Sequence, residues 1–213
     1  IYMSAAYAGL TVHVLGSDAG VTAAFNGGTH MPLEDAAMYL SIPETTVLDP
    51  ADYDQLASIT RQLVNIDKGV TYTRFVRKGI IQVYGEGSEF EIGKGEKLTD
   101  GYDIAVISTG LMTNEALRAA VLAKRQGMNV RVINMPTIKP IDEEIILTAA
   151  RECGRIITVE EHSVIGGLGE AVCAVVSEKL PCVVRRIGVQ DQFGHSGPAN
   201  EVLRDYGLSA ENI

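Results

Sequence analysis

The chain has 213 residues, 46% of them hydrophobic, and its 27 acidic against 18 basic side chains give a net charge of −9. That length and apolar content suffice for one large or two small packed domains, and the scattered basic residues form no stripe that would favour nucleic acid. No run of about 18 apolar residues is present to make a helical membrane span, and no basic-then-apolar leader is seen, so the expected location is the cytoplasm.

Ile1 to Leu10 (IYMSAAYAGL) patterns as a helix entering a strand, with neither an initiator Met nor a capping residue ahead of it. The expectation is a chain that starts inside a domain. Thr11 to Gly16 alternates as a strand, and Ser17 to Pro32 is a loop of glycines and small residues, placed after a strand where α/β proteins carry function. Leu33 to Leu40 follows as a helix whose first turn holds Glu34 and Asp35, favourable to its dipole. Thr45 to Leu48 is a strand. Asp49-Pro50-Ala51 opens a helix to about Ile66, with the proline where a missing N–H costs nothing. Val70 to Val76 is the next strand.

Between Arg77 and Asp100 glycines and charges take over, with a short apolar alternation at Ile80 to Tyr84 that predicts a hairpin within a linker. A regular rhythm resumes after Tyr102: strand Asp103 to Ser108, helix Thr113 to Gln126, strand Asn129 to Asn134, helix Asp142 to Cys153, strand Arg155 to Glu160. Gly127 and Gly154 stand just past helix ends, where a left-handed residue is needed. Gly166-Gly167-Leu168-Gly169 opens a helix to about Lys179, then come strand Cys182 to Val189 and a helix near Ala199 to Tyr206. Strands alternating with helices predict an α/β chain with mainly parallel sheet, divided at 1–78, a linker at 79–100, and 101–213.

Chemistry-bearing residues are few. His30 sits in Gly27-Gly28-Thr29-His30-Met31-Pro32, where glycines let backbone approach a ligand; an imidazole there suits either proton transfer or a structural hydrogen bond. Gly166 to Gly169 is neither a Walker nor a dinucleotide fingerprint, and close helix–strand packing accounts for it better than a phosphate cradle. Glu160, Glu161 and His162 alternate faces along a strand end, which favours a hydrogen-bonded structural cluster over metal ligation. His13 and His195 read as structural. Cys153, Cys173 and Cys182 lack metal-ligand spacing and read as reduced structural thiols.

Several ordered motifs together resemble the transketolase family. Ser17-Asp18-Ala19-Gly20-Val21-Thr22, then Asn26-Gly27-Gly28-Thr29-His30-Met31-Pro32-Leu33-Glu34-Asp35 and Val47-Leu48-Asp49-Pro50-Ala51-Asp52, look like the second half of its pyrimidine-binding domain. Tyr72-Thr73-Arg74 followed by Arg77 resembles the family's strand ending in a basic residue. Thr158 to Ser163, Gly166 to Gly169 and Asp191-Gln192-Phe193-Gly194-His195-Ser196-Gly197 are similar to its C-terminal domain. The resemblance thus implies a partial pyrimidine-binding domain followed by a transketolase C-terminal domain.

It also implies transfer of a two-carbon ketol unit between a ketose phosphate and an aldose, with thiamine diphosphate and magnesium in the intact assembly. His30 matches the histidine beside the aminopyrimidine and substrate hydroxyls. Arg74 matches a position that binds the sugar phosphate, with a surface ion pair as the alternative. Asp18 and Asn26 stand where relatives carry a histidine and an aspartate that read sugar hydroxyls, so substrate preference is open. The family's cofactor-polarising glutamate, stacking aromatics and Asp-Gly-Asp diphosphate motif have no counterpart here. The chain by itself is therefore expected to be inactive and to bind no cofactor, and its expected partners are the missing N-terminal section, or a separate subunit carrying the diphosphate-binding domain, and further copies of itself. The alternative is a noncatalytic dimerisation or assembly section of a deoxyxylulose-phosphate synthase or 2-oxo acid dehydrogenase beta type.

Overall fold

The computed structural model describes residues 1–213, arranged as two α/β layers with mostly parallel sheets. In the first sheet β1 (Val12–Ser17), β3 (Val70–Phe75) and β2 (Thr45–Leu48) run parallel in that spatial order. β3 reads Val-Thr-Tyr-Thr-Arg-Phe and is buried through Arg74, as a central strand covered on both faces must be. β1 alternates half-buried and exposed residues because it is an edge. Around the sheet lie α1 (Asp35–Leu40) and α2 (Tyr53–Leu63). Asp52 caps α2 by accepting the Gln55 amide at 2.9 Å, which satisfies one of the free donors of the first turn.

The second sheet has the order β4 (Glu96–Lys97), β6 (Val130–Asn134), β5 (Ile104–Ser108), β8 (Arg155–Ser163), β9 (Val183–Val189). All pairs are parallel except β4 with β6. Its helices are α3 (Met112–Arg125), α4 (Glu143–Cys153), α5 (Leu168–Lys179) and α6 (Ala199–Asp205). Asp142 caps α4 through the Ile145 amide, and Gly154 ends it at φ 70°, the left-handed value expected of a glycine there. No helix is long and apolar enough to cross a membrane.

The N-terminal helix is of the π type, Tyr2–Tyr7, with the Ala6 amide on the Ile1 carbonyl five residues back. Three local expectations are corrected. The 17–32 loop contains two 3₁₀ turns, Gly20–Asn26 and Gly28–His30, because Val21, Ala23 and Ala24 must point inward. No hairpin forms at 80–84: the Val83 and Tyr84 amides instead donate to Asp52 Oδ2 at 2.8 and 2.7 Å. β8 runs on past Glu160 to Ser163.

A strand invisible to periodicity joins the two sheets. β7 (Thr137–Lys139) follows β6 but crosses to pair antiparallel with β2 of the first sheet. The Asp49 amide donates to the Pro136 carbonyl at 2.8 Å, and the Ser163 amide to the Leu33 carbonyl at 2.7 Å. Apolar packing crosses the same seam: Val21, Ala24 and Met31 share one core with Val159, Val189, Val202 and Leu203. Full burial of a side chain such as Val21 contributes about 1.5–3 kcal/mol, so the 17–32 segment is held by the second layer's core.

Candidate functional site

The candidate residues lie at the carboxyl ends of the parallel strands of the first sheet, where open α/β sheets place ligands. Asp18 follows β1 and takes a left-handed backbone, φ 61°, which an aspartate tolerates better than most residues. Its carboxylate meets Arg77, just past β3, at 2.8 Å. Lys78 lies over the Phe25 ring at 3.8 Å, bringing the end of the 20–26 turn to the exit of β3. Asn26 and His30 are exposed on that segment, and Asp18 is half-buried.

His30 is held by its own turn. Its amide donates to the Gly27 carbonyl at 2.9 Å, and its Nδ1 lies 2.8 Å from the Thr29 hydroxyl. With Nδ1 engaged, Nε2 is the nitrogen left to exchange a proton with a ligand. Gly27, at φ 81°, and Gly28 are needed here: a Cβ on Gly28 would lie 2.6 Å from the Gly194 carbonyl oxygen. The segment borders a cleft of about 460 Å³ lined by Gly28, Glu34, Asp191 and Phe193. A separate cleft of about 350 Å³, lined by Arg77, Lys78, Asp52 and Tyr53, lies past the end of β3.

Arg74 is not at this surface. It is 1% exposed, donating from Nε to Asp35 Oδ2 at 2.9 Å, from Nη1 to Asp49 Oδ2 at 3.2 Å and from Nη2 to the Glu161 carbonyl at 3.1 Å. That geometry lends the expected phosphate contact no support, since each guanidinium nitrogen already donates in the interior and the side chain does not reach solvent. The alternative of a surface ion pair fails: the partners are buried carboxylates. The exposed cations at the site are Arg77 and Lys78: Arg74 falls in the two-sided core of β3, and Arg77 and Lys78 lie beyond its end.

The Glu160-Glu161-His162 run forms a buried hydrogen-bonded cluster at the seam. Glu160 accepts the Leu168 amide at 2.7 Å and the Gly169 amide at 2.9 Å, so its carboxylate fills the helix N-terminus that a phosphate would need. Glu161 accepts the Thr22 amide. His162 donates from Nδ1 to the Ser163 carbonyl at 2.7 Å and accepts the Ala37 amide at Nε2. Burial, with Arg74 nearby, lowers its pKa to about 4, so it is neutral at pH 7 and makes no ion pair with Asp35 at 3.9 Å.

Burial dominates the acids. It raises Glu160 to about 7 and Asp49 to about 6 against the opposing pull of their hydrogen-bond donors and Arg74. Burial would raise Asp35 too, but Arg74 and the Tyr72 hydroxyl, which donates at 2.6 Å, hold that carboxyl below its ordinary value.

Comparisons with known proteins cover the whole chain. The transketolase pyrimidine-binding domain family matches residues 1–80, and the transketolase C-terminal domain family matches residues 93–213. A 6-deoxy-6-sulfo-D-fructose transketolase subunit of Clostridium sp. (strain MSTE9) is 41% identical over 213 residues, 100% of this chain and 66% of that protein. An apulose-4-phosphate transketolase subunit of Phocaeicola vulgatus is 38% identical over 209 residues, 98% of this chain and 66% of that protein. The chain thus spans about two thirds of the length of these relatives, 66% in each case. Among solved structures, a split gene transketolase described as an inactive beta4 tetramer superposes with TM-score 0.90 at 36% identity, covering 100% of this chain and 67% of that one. A transketolase mutant from Pichia stipitis shares the fold at TM-score 0.76 and 20% identity, over 97% of this chain and 29% of its own.

Proposed function

Because the chain belongs to the transketolase family, we propose that it is the C-terminal section of a transketolase-type enzyme that moves a two-carbon ketol unit from a ketose phosphate to an aldose. The observation that supports the reading is that Asp18 pairs with Arg77 and Lys78 lies over Phe25, next to Asn26, with His30 exposed on the same 17–32 segment. In this reading His30 exchanges a proton with a sugar hydroxyl, and Asp18 and Asn26 set which hydroxyls fit. Arg77 and Lys78 supply the positive charge a phosphorylated substrate needs.

The family depends on thiamine diphosphate. The sequence holds no Asp-Gly-Asp run of the kind the resemblance ties to the magnesium–diphosphate end of that cofactor, and in this reading a partner polypeptide carries it. The subunit names of the relatives and the split-gene neighbour support an assembly of two kinds of chain. The inactive beta4 tetramer favours a second reading for the chain alone, a self-associating section with no turnover until its partner joins.

The test is reconstitution with the upstream polypeptide, followed by a ketol-transfer assay on a ketose phosphate and an aldose. Transfer with the wild-type chain and a loss of roughly 100-fold or more in His30→Ala supports the proposal. A stable wild-type assembly, loaded with cofactor, that transfers nothing overturns it.

A further inference from the structure

The segment presenting Asp18, Asn26 and His30 follows a strand of the first sheet yet is moored to the second. We propose that Glu161 is a positioning residue for it: from β8, its buried carboxyl receives the Thr22 amide and fixes where the exposed side chains around the 20–26 turn stand. The inference rests on the reading above only where it has those side chains meet substrate.

Three observations carry it. Thr22 lies in the first turn of the 20–26 segment, and its amide donates to the Glu161 carboxyl rather than to a carbonyl of its own turn. Glu161 is that acceptor, 139 residues away in sequence and 4% exposed. The fit is close on the other side as well: Gly20, at φ +70°, has no room for a Cβ, which would lie 2.5 Å from Glu161 Cγ and 2.7 Å from Cδ.

Its neighbours cannot replace it. Glu160 spends both oxygens on the α5 N-terminus, and His162 takes the Ala37 amide. The Glu161 carbonyl meanwhile accepts from Arg74, so the residue binds both the loop and the central strand of the first sheet. Burial pushes the carboxyl up to about 8 against the pull of the Thr22 amide and Arg74, so near pH 7 a protonated carboxyl accepts through its carbonyl oxygen. A glutamine can imitate that group; a methionine of similar volume cannot.

Amide hydrogen exchange on the 213-residue chain tests this directly. In Glu161→Met, exchange of residues 20–30 is expected to quicken by about tenfold or more, while β5 and β6 keep wild-type protection. Glu161→Gln is expected to stay near wild type. Glu161→Leu, which likewise offers the Thr22 amide no acceptor, should loosen the same residues and serves if Glu161→Met does not fold. Unchanged exchange at 20–30 in the Met and Leu variants, or loosening shared equally by β5 and β6, would overturn the proposal. In the reconstituted assembly Glu161→Met should lower kcat/KM about tenfold or more, with Glu161→Gln restoring it. A wild-type assembly without ketol transfer, but with the expected exchange pattern, would defeat the functional reading and leave the positioning role intact.

Discussion

Arg74 Nε stands 2.9 Å from Asp35 Oδ2 at a point where neither side chain meets solvent, and the pair ties the central strand of the first sheet to α1. The same guanidinium reaches Asp49 and the Glu161 carbonyl, so one side chain joins β3, the end of β2 and β8. Removing it would strand two buried carboxylates. Arg74→Ala is therefore expected to cost about 3–5 kcal/mol in urea unfolding. Adding Asp35→Asn should recover part of that loss, since one orphaned charge disappears; strict additivity of the two changes would contradict the coupling.

Arg77 contrasts with it. Its side chain is 60% exposed and its pair with Asp18 is a surface contact, so Arg77→Ala should shift stability by less than about 1 kcal/mol. In the reconstituted enzyme the same change is expected to raise KM for a phosphorylated donor by about tenfold, with a smaller effect on an unphosphorylated one. Equal effects on both donors would remove Arg77 from phosphate recognition.

The α5 cap gives a third expectation. Glu160 holds the amides of Leu168 and Gly169, and a Cβ on Gly167 would strike that carboxylate. Glu160→Ala should cost about 1–3 kcal/mol by leaving buried donors unpaired, and Gly167→Ala about the same through overpacking. Thermal unfolding measures both.

Stability should also depend on pH in a defined direction. Burial raises Glu160 to about 7 and Glu161 to about 8, above their unfolded values, so the folded chain retains protons that the unfolded chain releases. Their contribution is complete below the unfolded carboxyl range and is lost as pH rises through about 7 to 8. His162, lowered to about 4 by burial and Arg74, acts oppositely: stability falls as pH drops from its ordinary value towards 4. Urea midpoints should thus decline from about pH 6 to pH 8.5, and Glu161→Gln should flatten that decline. An unchanged slope in the variant would assign the dependence elsewhere.

Much of the fold was legible from periodicity. The buried runs of β5 and β6, the Asp142 cap, the Gly154 stop and the alternation of strands with helices predicted a parallel α/β chain, and the spacing of Gly27, Gly28 and His30 marked the exposed turn. The 3₁₀ turn at 20–26 was not legible, because small residues such as Ala23 and Ala24 look like loop until the core that receives them is known. β7 was missed because three residues carry no period, and its pairing with β2 is a long-range event.

Family, fold class and the identity of the side chains on the candidate edge follow from local pattern and ordered motifs, and so were present in the amino-acid order alone. Which cations are available, and what holds the loop, depended on the folded arrangement. Arg74 and Arg77 stand three residues apart with the same chemistry. One is enclosed by Asp35, Asp49 and β8, the other lies past the strand's end, and such enclosure depends on residues brought together from distant parts of the chain.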